Sequence, residues 1–246
     1  MKSPRSDPAG AFSCLAGTPL PSSSGRMLPE TPDRAPNTPN EWGILVILSF
    51  FFGLFLLLEL AREFSIEKLS VPFFLISWVI LLVIHEAGHA LMARLVGWRV
   101  ERIAIGSGRV RMERRLLGVP VEFRTLPLSG YVVPRPRDLR APRLKQCLIF
   151  AAGPGIELLL VALIALAVGP DRLLTASGQP GMIALQSFSV AAVFGAGFNL
   201  IPFPHPDGKG GVSWSDGLGM ILCWRTSDET YRQWRDGEPP RRGESE

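Results

Sequence analysis

The sequence predicts an all-α integral membrane protein with about four transmembrane helices and a small cytoplasmic β-hairpin or sheet inserted between two of them. Three observations lead there. Of 246 residues, 47% are hydrophobic and only 20% charged, more apolar than an ordinary soluble domain. The apolar residues are bunched into long runs instead of being spaced at the periods that build a soluble core. Basic residues, in turn, are concentrated in one connection between two of those runs.

Residues 1–40 have a different composition from the rest. They hold eight of the 22 prolines and six serines, and too little large apolar surface to offset the entropy of ordering. A disordered tail is expected there. The stretch Ala11 to Leu20 is broken by Ser13, Gly17, Thr18 and Pro19, so no continuous apolar region of a signal peptide is present in it. Met27 is a second candidate start. Residues 41–222 are expected to form the membrane-embedded domain, and 223–246 a short C-terminal helix and a polar tail. The helix, over about 218–235, would carry Trp224, Tyr231 and Trp234 on a surface lying at the interface.

Crossing ~30 Å of hydrocarbon takes roughly 20 helical residues. Four runs approach that length: Gly43 to Ala61, Leu69 to Trp98, Cys147 to Val168, and Gly181 to Phe203. The last two are rich in small residues, as close helix contacts in lipid favour. The connection 98–146 carries twelve Lys and Arg, whereas 169–180 has only Arg172, and 62–68 has Arg62 and Lys68. The positive-inside rule therefore places 98–146 and both termini in the cytoplasm of a multi-pass protein of the cell (inner) membrane. The formal charge of +4 is a topology signal first. Aromatic residues do not interleave with the basic ones, so no nucleic-acid partner is expected. Within the connection, Val100 to Ile105 and Val119 to Leu126 alternate as short strands, with Gly106, Gly108 and Gly118 as turn residues, and LPLSGYVV (126–133) returns toward the membrane.

The chain has three histidines. Two of them, His85 and His89, are four apart with Glu86 between them, inside an apolar helix. Positions i and i+4 differ by ~40° around a helix, so both imidazoles leave one face and can share a tetrahedral zinc. Glu86 is then placed to take a proton from a water that the metal activates. A carboxylate inside a span costs a few kcal/mol, ~2.5–3.5 on insertion scales, and by default marks a functional site. Ala87 and Gly88 keep the neighbouring surface small, which would leave room for a substrate. A catalytic zinc normally has three protein ligands, and the stretch after the fourth run offers two Asp-Gly pairs, Asp207-Gly208 and Asp216-Gly217. Cys14, Cys147 and Cys223 are odd in number and widely separated, which indicates neither a disulfide framework nor a thiolate zinc site.

HEAGH in a membrane helix, then LPLSGYV, then AAGPG in the next span, then NLIP followed by Asp-Gly, together resemble the site-2 protease family of intramembrane zinc metalloproteases over roughly residues 70–222. The resemblance implies a three-helix catalytic core that cleaves transmembrane peptides near the cytosolic side. It also implies zinc held by His85, His89 and a downstream aspartate, with Glu86 as general base. In the family the Asp-Gly opens an apolar helix, which favours Asp216. Asp207, eight residues after Asn199, is the alternative. Asn199 either donates to a substrate strand or developing oxyanion or makes a hydrogen bond between helices. His205, between Pro204 and Pro206, reads as a loop residue. The family's Gly-Pro motif usually continues to an asparagine, but here Gly153-Pro154-Gly155-Ile156 leads to Glu157, a carboxylate that serves the site or pairs with a polar partner in the bundle.

The expected activity is zinc-dependent endoproteolysis of transmembrane or membrane-proximal peptide bonds, with one zinc ion and with transmembrane proteins and the lipid bilayer as partners. Two other readings are a membrane zinc protease whose third ligand is Glu157, and a catalytically silent membrane scaffold of the same fold.

Overall fold

Among the described residues, three helices are long and apolar enough to cross a membrane. The computed structural model describes residues 51–59, 61–62, 65–206 and 212–237. The expected tail 1–40 and residues 43–50 of the first run lie outside them, and 51–59 are helical. About four spans were expected, and three are found among the described residues.

The first spanning helix, α1 (Ser70–Leu95), follows a single 3-10 turn at Ile66–Leu69. It stops three residues before Trp98 because Gly97 takes a left-handed conformation with φ of 83°. Trp98 N–H then donates back to Ala93 O at 2.8 Å, which satisfies a carbonyl left open by the helix end. Helix α2 (Pro142–Val168) starts five residues before the expected Cys147, with Pro142 in its first turn, where a missing N–H costs nothing. Helix α3 (Pro180–Leu200) is opened the same way by Pro180.

Between α1 and α2 stands the sheet, larger than expected. Strands β1 (Arg99–Leu116) and β2 (Val119–Arg135) are both long and bent. Ile103, Ala104 and Ile105 are flanked by Val121, Glu122 and Phe123 on one side and by Val132, Tyr131 and Gly130 on the other. The bends fall at Gly106 and Gly108, with φ of 93° and 83°. LPLSGYVV is thus the far part of β2, running alongside the start of β1.

Beyond α3, two three-residue strands, β3 (Pro204–Pro206) and β4 (Val212–Trp214), pair antiparallel. Two short helices follow, α4 (Asp216–Leu222) and α5 (Asp228–Asp236), joined by a 3-10 turn at Cys223–Arg225. The single helix expected over 218–235 is therefore broken. Ser227 caps α5, accepting from Thr230 N–H at 3.1 Å. Of its expected interfacial aromatics only Trp224 is exposed. Tyr231 and Trp234 are buried with Ala93, Trp98 and Ile149 in one core cluster, because α5 folds back under the ends of α1 and α2. A second cluster joins Leu81 of α1 to Ala191 and Ala192 of α3.

Candidate metal centre and active site

Ser77, Leu81, His85, His89 and Ala93 are buried at successive i+4 positions of α1. One stripe of the helix therefore meets the second apolar cluster at Leu81, the first at Ala93, and carries both histidines between them. His89 lies six residues before the end of α1, roughly 9 Å along the axis. The imidazole rings stand edge to face with centroids 4.7 Å apart.

Helix α2 makes room for them. A side chain at Gly153 would run into Nε2 of both histidines, so only glycine lets the α2 backbone pass so close. Gly88 serves the same contact from α1, since a Cβ there would lie 2.7 Å from Ala152 O. The small residue at Gly88 was expected to leave space for a substrate. It is taken up by helix packing instead, while Ala87 faces outward.

The third member comes from α4. Asp216 Oδ2 is 3.0 Å from His85 Nε2, and Oδ1 is 3.3 Å from His89 Nε2. Ser215 puts it there: its Oγ donates to Ile201 O at 2.7 Å and accepts from Phe203 N–H at 3.1 Å and Leu218 N–H at 3.3 Å. One hydroxyl thus ties the end of α3 to the cap of α4. Gly217 completes the junction, because any side chain there would collide with Leu200 O. Asp207, the alternative ligand, lies outside the described residues.

His85, His89 and Asp216 are all buried, and one ligand atom from each lies within 4.8 Å of the others. Two imidazole nitrogens and a carboxylate oxygen converging away from water are a donor set suited to a tetrahedral divalent ion with a position left open. His89 Nδ1–H donates to Ile149 O at 2.6 Å, which leaves Nε2 as the free lone pair. Glu157 stands on the opposite side of the His85 ring from Asp216, with Oε1 3.4 Å from Nδ1.

Glu86 is buried beside this group, and its Oε2 has no hydrogen-bond partner. Gly130 of β2 lies against it: a Cβ there would be 2.6 Å from Glu86 Oε1. The sheet is braced just behind this contact. Glu122 accepts from Arg102 at 3.1 Å and from Arg124 at 2.7 Å, and Arg124 donates on to Tyr131 Oη at 2.8 Å. Burial would raise the Glu122 carboxyl, but the two guanidinium groups outweigh it and hold the group below its ordinary value. Asn199 is half-buried in the last turn of α3, and no hydrogen bond among the described residues joins it to the histidine and aspartate group.

The two histidines, the sheet, α2 and most of α1 fall in one segment. Residues 73–174 match the model of peptidase family M50. Over this segment the chain is similar to the site-2 protease family, as its motifs suggest. A Campylobacter jejuni protein named as a zinc metalloprotease is 34% identical over 140 residues, 51% of this chain and 37% of its own length. A Ralstonia nicotianae protein with the same kind of name is 36% identical over 147 residues, 48% of this chain and 32% of its own. The regulator of sigma-E protease of Escherichia coli is 40% identical over 60 residues, 24% of this chain and 13% of its own. The matches thus span well under half the length of these relatives.

The site-2 protease motifs each acquire a place in this geometry. HEAGH lies on the inner stripe of α1, AAGPG supplies the glycine behind the histidines, LPLSGYV brings Gly130 over Glu86, and NLIP ends α3 so that Asp216-Gly217 can return. Sequence reasoning missed Ser215 and the Ile149 carbonyl. A serine immediately before the Asp-Gly is a legible helix-cap signal, but a backbone acceptor leaves no trace in a sequence.

Proposed function

We propose that the chain is a zinc-dependent intramembrane endopeptidase that hydrolyses peptide bonds of transmembrane protein substrates. The observation that carries the reading is the convergence of His85, His89 and Asp216 on one point beside the unpartnered carboxylate of Glu86, within a helix long enough to span a bilayer. His85 Nε2, His89 Nε2 and the Asp216 carboxylate would hold the ion. An ion held there would supply Lewis acidity toward a peptide carbonyl and toward a water. Glu86 accepts the proton of that water and returns it to the departing amine.

A peptide bond in a helix is shielded by its own hydrogen bonds, so the substrate must be extended to be attacked. The Tyr131–Val132 stretch of β2 is paired with β1 on one side and adjoins Glu86 through Gly130. Its other edge offers backbone groups to an unwound segment. With the basic sheet cytoplasmic by the positive-inside rule, His89 sits roughly 9 Å inside the cytoplasmic end of α1. Cleavage in the cytoplasmic half of the inner membrane follows, and with 43–61 as a further span both termini lie on that side. Asn199 is assigned to substrate or oxyanion binding. Glu157 is the less favoured third ligand, because its carboxylate addresses Nδ1 of His85 and not the Nε2 side that Asp216 occupies.

The test is Glu86→Gln in the full chain. The variant should retain one zinc per chain, while membrane proteins depleted by the wild-type chain accumulate when the variant replaces it. Identical membrane proteomes from the two would overturn the reading and favour a silent scaffold.

A further inference from the structure

Glu157 is 3% exposed, in the middle of a spanning helix and followed by Leu158, Leu159, Leu160 and Val161. A carboxylate so placed is costly unless something uses it. Its Oε1 lies 3.4 Å from His85 Nδ1. Its Oε2 has no hydrogen-bond partner, nor has His85 Nδ1 within bonding geometry. Two buried groups with unmet needs therefore face each other, one an acceptor and one an N–H. The third helix closes the space around them: a Cβ on Gly195 would lie 3.6 Å from both carboxylate oxygens, ordinary contact that leaves the carboxyl little other direction to take.

The two histidines are thus treated alike at one nitrogen and differently at the other. Each turns Nε2 toward Asp216. His89 gives its Nδ1–H to a neutral carbonyl, Ile149 O, whereas His85 has a carboxylate behind it. We infer that Glu157 is a positioning residue for His85, accepting its Nδ1–H so that the ring stays in the tautomer and orientation that present the Nε2 lone pair to the metal. A carboxylate behind an imidazole also makes it a more basic ligand. A neutral carbonyl such as Ile149 O is a weaker acceptor than a carboxylate, so this chain would bind its metal through one strengthened and one ordinary histidine. The inference rests on the metal reading above.

The test uses the full chain purified in detergent, with zinc content followed against a graded chelator. Glu157→Leu keeps the volume and removes the acceptor, and should weaken zinc binding 10–100-fold, the usual cost of losing such a partner. Glu157→Gln restores an acceptor without the charge and should recover part of that loss, which a purely packing role would not do. In zinc-loaded protein labelled at histidine, the Nδ1–H resonance of His85 should shift in Glu157→Gln while that of His89 stays in place. Wild-type zinc affinity in Glu157→Leu, or an unmoved His85 resonance in Glu157→Gln, would overturn the inference and leave the metal reading intact. A wild-type chain that takes up no zinc would overturn both.

Discussion

Gly130 of the sheet lies directly against Glu86 of the first helix, so close that a methyl group would stand 2.6 Å from Glu86 Oε1 and 2.7 Å from its Cγ. The same methyl would be 2.8 Å from Ala104 O, with a neighbouring strand behind it, so neither side can give way easily. Glycine is required here for space, and the strand is thereby registered on the carboxylate.

Gly130→Val is expected to displace either the strand or Glu86 while leaving the three metal ligands untouched. Zinc content should be unchanged and the depletion of membrane proteins should be lost, by analogy with the ~10²–10⁴-fold contribution of a general base. Loss of zinc in this variant would mean that the strand supports the ligands and not Glu86.

Among the described residues, Asp216 is the carboxylate that bridges both histidines, and Asp216→Ala removes it. The purified variant should lose zinc at chelator concentrations that the wild type withstands, and Asp207→Ala should behave as wild type. Retention in the first variant and loss in the second would transfer the ligand to Asp207.

Ser215→Ala leaves the aspartate in the sequence but unties it from Ile201 O and Phe203 N–H. Losing the cap alone costs about 1 kcal/mol, and the two further hydrogen bonds add to that. A lowered melting temperature with weakened zinc binding is expected. Gly217→Ala should do the same more severely, because its methyl meets Leu200 O.

Glu122 makes the sheet acid-sensitive. Its folded value is depressed below 4.5, so its contribution to stability is fully present above that pH and is lost as pH falls through the depressed value. Glu122→Gln should melt at a lower temperature than wild type at pH 6, and the gap should narrow below pH 4. A gap that stays constant across this range would show that Arg102 and Arg124 do not use the charge.

Much of this site was legible because membrane burial makes polar residues conspicuous. His85, Glu86, His89 and Glu157 stand out against apolar runs, and helical periodicity puts the two histidines on one stripe without any tertiary information. The ends of elements were less legible. Gly97 ends α1 through a backbone conformation, and the sequence reading let an apolar run carry the helix on to Trp98. The full length of the strands escaped notice because residues 108–116 of β1 are exposed on both faces, so the alternation of Val110 and Met112 with Arg109, Arg111 and Glu113 marks no buried side. The break between α4 and α5 depends on Ser227 capping a new helix, and the burial of Tyr231 and Trp234 depends on where that helix docks. Periodicity alone cannot supply that.

His85 and Asp216 are separated by 131 residues of chain, and that separation has a consequence in time. All three spanning helices and the sheet are synthesised before Ser215 and Asp216 exist. During membrane insertion the two histidines and Glu86 are therefore present without their third partner, and the donor set is completed only after α3 has been made. A chain halted between residues 201 and 215 would carry α1, α2 and α3 and still be unable to close its centre, so the metal-binding group is completed late in biosynthesis.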